Sequence, residues 1–174
     1  KQHCTFCGLN VQGMTFRMKS PERALTEIRT LTRKYSTGRW MYTDNIIDML
    51  YFDTVIPELA KDDLTYCFFF ETKANLKRSH VAMFAEAGCH LIQPGLESFH
   101  DETLRIMKKG TTACINIHLL QHCVEFGVLP IWTLLCGFPA SDPEWIAETA
   151  EQLPALFHLP PPGSVQSMRF DRFS

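Results

Sequence analysis

Short apolar runs alternate with helix-spaced apolar positions along the whole chain. Ser20-Pro21 reads as an N-cap followed by the favoured first helical residue. Leu25, Ile28, Leu31 and Tyr35 then mark one helical face, which stops near Gly38. A strand is predicted over 39–43, closed by the polar break Asp44-Asn45. Met49, Phe52, Ile56 and Leu59 carry a second helical face, kinked or restarted at Pro57. An aromatic strand over 65–70 is closed by Glu71, and a helix over 77–87 stops at Gly88. The strand 89–94 runs into the turn Gly95-Leu96-Glu97-Ser98. Helical spacing returns over 101–107 and 112–126, with Gly127 as the stop. An apolar strand over 129–136 leads into Gly137-Phe138-Pro139. A helix from Asp142-Pro143 to about 157, the stiff loop Pro160-Pro161-Pro162-Gly163 and a strand over 165–170 complete the pattern.

Strands alternating with helices imply right-handed βαβ units and a parallel sheet. No repeat and no domain-sized shift in composition interrupts the pattern. One α/β domain over 1–174, incomplete at both ends, is therefore expected. At 174 residues and 45% hydrophobic the chain can build a core of single-domain size. A net charge of −2 and a pI near 6.4 give no support to a nucleic-acid surface. No apolar run is long enough to span a bilayer, and no signal peptide is visible. Seven cysteines, mostly single and in apolar or helical surroundings, make a poor disulfide framework and suit a reducing cytosol, so a cytoplasmic protein is expected.

Candidate chemistry starts at Cys4-Thr5-Phe6-Cys7-Gly8. Two thiols three positions apart can grip one metal or cluster from a single tight loop, and thiolate sulfur selects zinc, copper(I) or iron–sulfur centres. Two ligands are fewer than a closed site needs, and Lys1 is read as a start inside the loop, with a further ligand upstream. A zinc knuckle half and a redox pair are the plain alternatives, although a redox pair expects a thioredoxin-type strand order. Asp44-Asn45, Glu71, Glu97-Ser98 and Gly137-Phe138-Pro139 each follow a predicted strand. In parallel α/β architectures that carboxyl edge is where ligands bind, so five segments, the cysteine loop included, converge on one rim. The plain readings are a solvated loop acid or cap partner for Glu97 and exposed acids for Asp44 and Glu71. His118 and His122 share a helical face at ligand spacing but lack a companion ligand, and they read as ordinary helix residues. Lys108-Lys109 reads as a cation pair complementing a helix end, and Phe68-Phe69-Phe70 as core strand.

The chain resembles the radical SAM superfamily, in particular its peptide-maturation enzymes, a group with cobalamin-binding members. The stretches that carry the resemblance are His3-Cys4-Thr5-Phe6-Cys7-Gly8-Leu9-Asn10, Ser20-Pro21-Glu22-Arg23, Glu71-Thr72-Lys73-Ala74-Asn75-Leu76, Gln93-Pro94-Gly95-Leu96-Glu97-Ser98, Met107-Lys108-Lys109-Gly110-Thr111-Thr112 and Gly137-Phe138-Pro139. The resemblance implies a partial (β/α)6 TIM-type barrel, truncated before its first strand. It also implies a 4Fe–4S cluster held by Cys4, Cys7 and an upstream cysteine, with S-adenosylmethionine on the open iron. A deoxyadenosyl radical formed from the cosubstrate would then abstract hydrogen. Phe6, Asp44, Glu71, Glu97, Ser98, Leu135 and Gly137 are the expected cosubstrate contacts, with Glu97 or Ser98 for the ribose and Phe6 with the 135–137 backbone for the adenine. Implied partners are a ribosomally made precursor peptide and an electron donor such as flavodoxin or ferredoxin, and cobalamin would sit on an N-terminal domain outside this chain. Two departures stand out: Thr43-Asp44-Asn45 replaces the family's glycine-rich acidic segment, and Ala140-Ser141 follow Gly137-Phe138-Pro139 where a glycine and an acid often stand. On residues alone, a zinc-binding interaction domain and a cofactor-free α/β enzyme remain the other readings.

Overall fold

Helix α1 (Pro21–Tyr35) starts where the Ser20 hydroxyl accepts the Arg23 N–H and Pro21 takes the first turn. In the computed structural model, which describes residues 4–6, 16–43 and 46–169, it is followed by strands and helices in alternation. Strands β1 (Arg39–Met41), β2 (Cys67–Thr72), β3 (Leu91–Pro94) and β4 (Leu129–Pro130) form a four-stranded sheet in that order. Strands β5 (Thr133–Cys136) and β6 (Ser164–Ser167) form a second sheet. Every pairing is parallel. The crossovers carry α2 (Tyr51–Thr54), α3 (Ile56–Ala60), α4 (Arg78–Glu86), α5 (Asp101–Ile106), α6 (Ala113–Phe126) and α7 (Pro143–Gln152). Parallel neighbours cannot be joined by tight hairpins, so each needs such a crossover.

Alternation along the strands sorts the side chains into two faces. Phe68, Phe70, Thr72 and Ile92 are buried, and Phe70 stacks on Phe84 of α4 at 5.5 Å, so this face meets the helices. Val81, Leu119 and Leu120 complete the same core. The other face is open. Met41, Phe69, Leu91 and Leu129 stand in register across four strands, with Glu71 opposite Gln93 nearer the carboxyl edge. Met41 is 73% exposed and Leu129 57% exposed, so this face is lined but not filled by the described residues.

Three elements differ from the sequence expectation. Glu71 lies inside β2 rather than closing it, because the ladder with β3 continues to Thr72 opposite Pro94. The apolar run 129–136 is two strands in two sheets. Its first half pairs with β3 and its second with β6, and the buried Trp132 at the changeover donates from Nε1 to the Pro160 carbonyl. The Ile131 N–H still donates to the Ile92 carbonyl at 2.8 Å, so the partners change only beyond Ile131. The last helix stops at Gln152 and tightens into a 3-10 turn over Leu153–Leu156, where Pro154 removes a helical donor. No helix among the described residues is long and apolar enough to cross a membrane.

Gly88 is the tightest of the left-handed turns. Its φ is +82°, and a Cβ there would stand 2.3 Å from the Tyr66 carbonyl oxygen. Gly127 has φ +65° with nothing within 4 Å. Gly88→Ala is therefore expected to destabilise the intact protein by about 3 kcal/mol, combining backbone strain with overpacking. Gly127→Ala should cost only about 1 kcal/mol of left-handed strain. The comparison is read from urea midpoints at unchanged slope. Equal shifts would show that the Tyr66 contact contributes nothing.

Candidate functional site

The turn after β3 is built from the backbone outward. Gly95 N–H donates to the Thr72 carbonyl at 3.2 Å, Leu96 N–H to Pro94 at 3.0 Å and Ser98 N–H to Leu96 at 2.8 Å. Glu97 takes a left-handed φ of 64°, a conformation that costs a residue with a side chain about 1–2 kcal/mol. Asn116 of α6 holds it there. This side chain is fully buried, and its Nδ2 donates to the Leu96 carbonyl at 3.1 Å and the Ser98 carbonyl at 2.8 Å, bracketing Glu97. Its Oδ1 accepts the Thr111 hydroxyl at 3.1 Å. Ser98 is buried, and its hydroxyl accepts the His100 N–H at 3.0 Å. Glu97 also joins the two sheets: it bridges Leu134, and its carbonyl accepts the Leu135 N–H at 2.9 Å.

The cysteine loop docks onto the end of α5. Thr5 donates its N–H to the Met107 carbonyl and its hydroxyl to the Ile106 carbonyl, both at 3.1 Å. The half-buried Cys4 places Sγ 3.8 Å from the Lys108 carbonyl. These carbonyls are the orphan acceptors of a helix C-terminus, so an ordinary structural need fixes the loop at the rim. Lys108 is exposed with φ 53°, whereas Lys109 turns inward. The Nζ of Lys109 meets Glu97 Oε1 at 3.2 Å and lies 5.7 Å from the Phe6 ring centre. The paired lysines therefore do not simply serve a helix dipole. Phe6 in turn meets the Phe138 ring edge-on at 6.2 Å.

Three of the five expected segments thus meet: the Cys4–Phe6 end of the loop, Glu97-Ser98, and Gly137-Phe138 with Leu135 just before them. Glu71 sits on the same carboxyl edge, half-buried on the open face of β2. Cys7, Asp44 and Asn45 lie outside the described residues. Leu135, Gly137 and Ser98 line a largely apolar cavity of about 260 Å³ between β5 and α7, with Trp145 also in its wall. Asn116 and Lys109 were missed in sequence. A lone Asn within an apolar helical run was the available signal, since a buried amide must find partners.

Cys4 suits a soft metal, since its thiol stands at the rim beside the end of a helix and Cys7 follows three positions on. Two of the other thiols differ. Burial pushes Cys89 and Cys123 up to about 12, which keeps them neutral and poor as ligands. Among the described residues no group of three or more His, Cys, Asp or Glu could hold a metal ion. His118 and His122 stack at 6.3 Å, as ordinary helix neighbours.

Comparisons with known proteins bear on the family and the fold. A protein of Pyrococcus horikoshii named as an uncharacterized methyltransferase is 24% identical over 151 residues, covering 84% of this chain and 33% of that protein. The radical S-adenosylmethionine methyltransferase TsrM of Kitasatospora setae, solved with tryptophan substrate and a SAM analog, superposes with a TM-score of 0.77 at 18% identity. The match covers 94% of this chain and 33% of TsrM. The cobalamin-dependent S-adenosylmethionine radical enzyme OxsB gives 0.72 at 18% identity, over 85% of this chain and 24% of that one. The chain thus spans about a third or less of these relatives, and at such identities the two structures establish the fold, an α/β partial barrel. A family model described as the Radical SAM superfamily, whose cofactors are a 4Fe–4S cluster and S-adenosylmethionine, matches residues 1–153, and on that extent of match this chain belongs to the radical SAM superfamily.

Proposed function

We propose that this chain is the catalytic core of an enzyme that uses S-adenosylmethionine to methylate its substrate, with cobalamin held outside the chain. The observation that carries the reading is the meeting of the cysteine loop with the Glu97 turn through Lys109 and Phe6. The methyltransferase and cobalamin-dependent relatives support the methyl-transferring and cobalamin parts. Cys4 and Cys7 are the ligands this chain would give a 4Fe–4S cluster, which when bound supplies the electron for cleaving the sulfonium. Glu97 would accept hydrogen bonds from the ribose hydroxyls, since a carboxylate suits vicinal donors. Phe6 and the Leu135–Gly137 backbone would flank the adenine, while Asp44 and Glu71 would contribute acceptors to the rim. Leu134, Leu135 and Phe138 would give a bound cosubstrate apolar walls that limit access of water.

For the substrate we favour a ribosomally made peptide, with a flavodoxin or ferredoxin as electron donor, on the motif resemblance. The test is anaerobic reconstitution of the full-length protein with reductant, S-adenosylmethionine, cobalamin and the peptide encoded beside its gene. Expected products are a peptide heavier by one methyl group and one S-adenosylhomocysteine per methyl transferred, with 5′-deoxyadenosine and methionine in addition where a deoxyadenosyl radical removes the substrate hydrogen. Cosubstrate turnover with an unchanged peptide would sink the substrate class, and no turnover at full iron content would sink the enzyme reading. Glu97→Ala should weaken S-adenosylmethionine binding by about 10- to 100-fold, the loss expected for charge-assisted hydrogen bonds. Iron content should stay at the parent level. Equal affinity in mutant and parent would remove Glu97 from the site.

A further inference from the structure

We infer that Cys114 and His118, on the solvent face of α6, form an open binding site for a zinc ion, outside the cysteine loop. The two residues stand about one helical turn apart, and both are exposed. Their donor atoms meet, with Cys114 Sγ 3.9 Å from His118 Nε2. A tetrahedral zinc held by a sulfur at about 2.3 Å and a nitrogen at about 2.0 Å sets those two atoms about 3.5 Å apart. A small rotation of two exposed side chains therefore closes the pair on an ion, and the thiol proton passes to solvent as the thiolate binds. Thiolate with imidazole is a donor set that suits zinc and is poor for magnesium or calcium.

The sequence pairs His118 with His122, and the structure adds Cys114 as a companion donor one turn earlier. His122 stacks on the His118 ring at 6.3 Å, which limits how that ring turns. Burial, with the neighbouring His118 and Arg78, holds His122 below the ordinary imidazole range, so it brings no positive charge toward the ion. Two protein donors leave water to fill the remaining positions, as in a zinc site with open coordination. The ion also acts on the helix that holds it. Chelation across 114–118 needs helical geometry, so binding favours the closed helix over its opened form. The buried Asn116 lies within that span, and from it the Leu96 and Ser98 carbonyls are held. An ion on the outer face thus braces the turns that carry this amide.

The test uses the full-length protein with its cluster in place and zinc as the added ion. One zinc per chain should bind reversibly at this site. Cys114→Ser and His118→Gln should each raise its Kd by roughly tenfold or more, the loss of one of two protein ligands. His122→Gln should change the Kd little, since that ring stacks and does not ligate. Zinc should slow hydrogen exchange at the amides of 116–118 in the parent and leave it unchanged in Cys114→Ser. Both replaced side chains are exposed, so the variants should keep the parent urea midpoint in the absence of zinc. Zinc held as tightly by Cys114→Ser and His118→Gln as by the parent would mean an adventitious ion only and overturn the inference. Weakened binding in His118→Gln and His122→Gln, with none in Cys114→Ser, would assign the ion to the histidine pair and overturn it as well. Neither result touches the cosubstrate reading, which stands on other residues.

Discussion

Cys4→Ala in the full-length protein should abolish the iron–sulfur absorption altogether, and Cys7→Ala should do the same, while Cys89→Ala and Cys136→Ala retain it. The expectation is all-or-none because thiolates are the ligands a cluster is built on, and losing one from a set this small leaves too few. The contrast with Cys89 has a physical basis in this chain. Cys89 is fully buried and its thiol is pushed up to about 12, so it contributes packing rather than a thiolate. Its removal should lower stability by about 1–2 kcal/mol, as a small core cavity does, with iron unchanged. Cys4 is half-buried in a loop held by backbone hydrogen bonds from Thr5, so its removal should leave the fold as stable as before. Iron content, acid-labile sulfide and a urea midpoint separate the two effects. A Cys4→Ala/Cys7→Ala protein with a full complement of iron would show the loop assignment to be wrong.

Asn116→Ala should damage stability and cosubstrate binding together. Two carbonyls, those of Leu96 and Ser98, depend on this fully buried amide, and the Thr111 hydroxyl gives it a third bond. An unsatisfied buried acceptor costs about 1–3 kcal/mol, so the loss should be about 3 kcal/mol in all. The turn between those carbonyls is also the one that carries Glu97 in the left-handed region. Released from Asn116, it should relax toward ordinary φ values, and affinity for S-adenosylmethionine should fall by at least as much as in Glu97→Ala. Asn116→Asp should do worse on stability, because it trades two donors for a buried charge. An Asn116→Ala protein that loses stability but binds S-adenosylmethionine normally would make Asn116 a core residue with no part in the site.

Much of the architecture was legible because its signals are local. Ser20-Pro21, Thr112 and Asp142 start helices by capping chemistry within one turn, and each caps in the structure through the side-chain bond its type suggests. The placement of Glu97, Ser98 and Gly137 just after strands followed from alternation alone, whereas Leu135 lies within β5. Alternation could not say which strands pair. The run 129–136 reads as one strand because its apolar character is continuous, and nothing local shows that its halves face different partners.

What the sequence determined by itself is the β/α succession and the carboxyl edge on which Glu97 and Gly137 stand, and it proposes the soft-metal loop at Cys4 and Cys7. All three depend on residue type and short spacing. The tertiary structure alone decided that Asn116 brackets Glu97 from 18 and 20 residues away and that Lys109 reaches inward to Glu97 and Phe6. A buried amide or ammonium must find partners wherever packing brings them. Those partners are fixed by how α5 and α6 lie against the sheet, which no local pattern records.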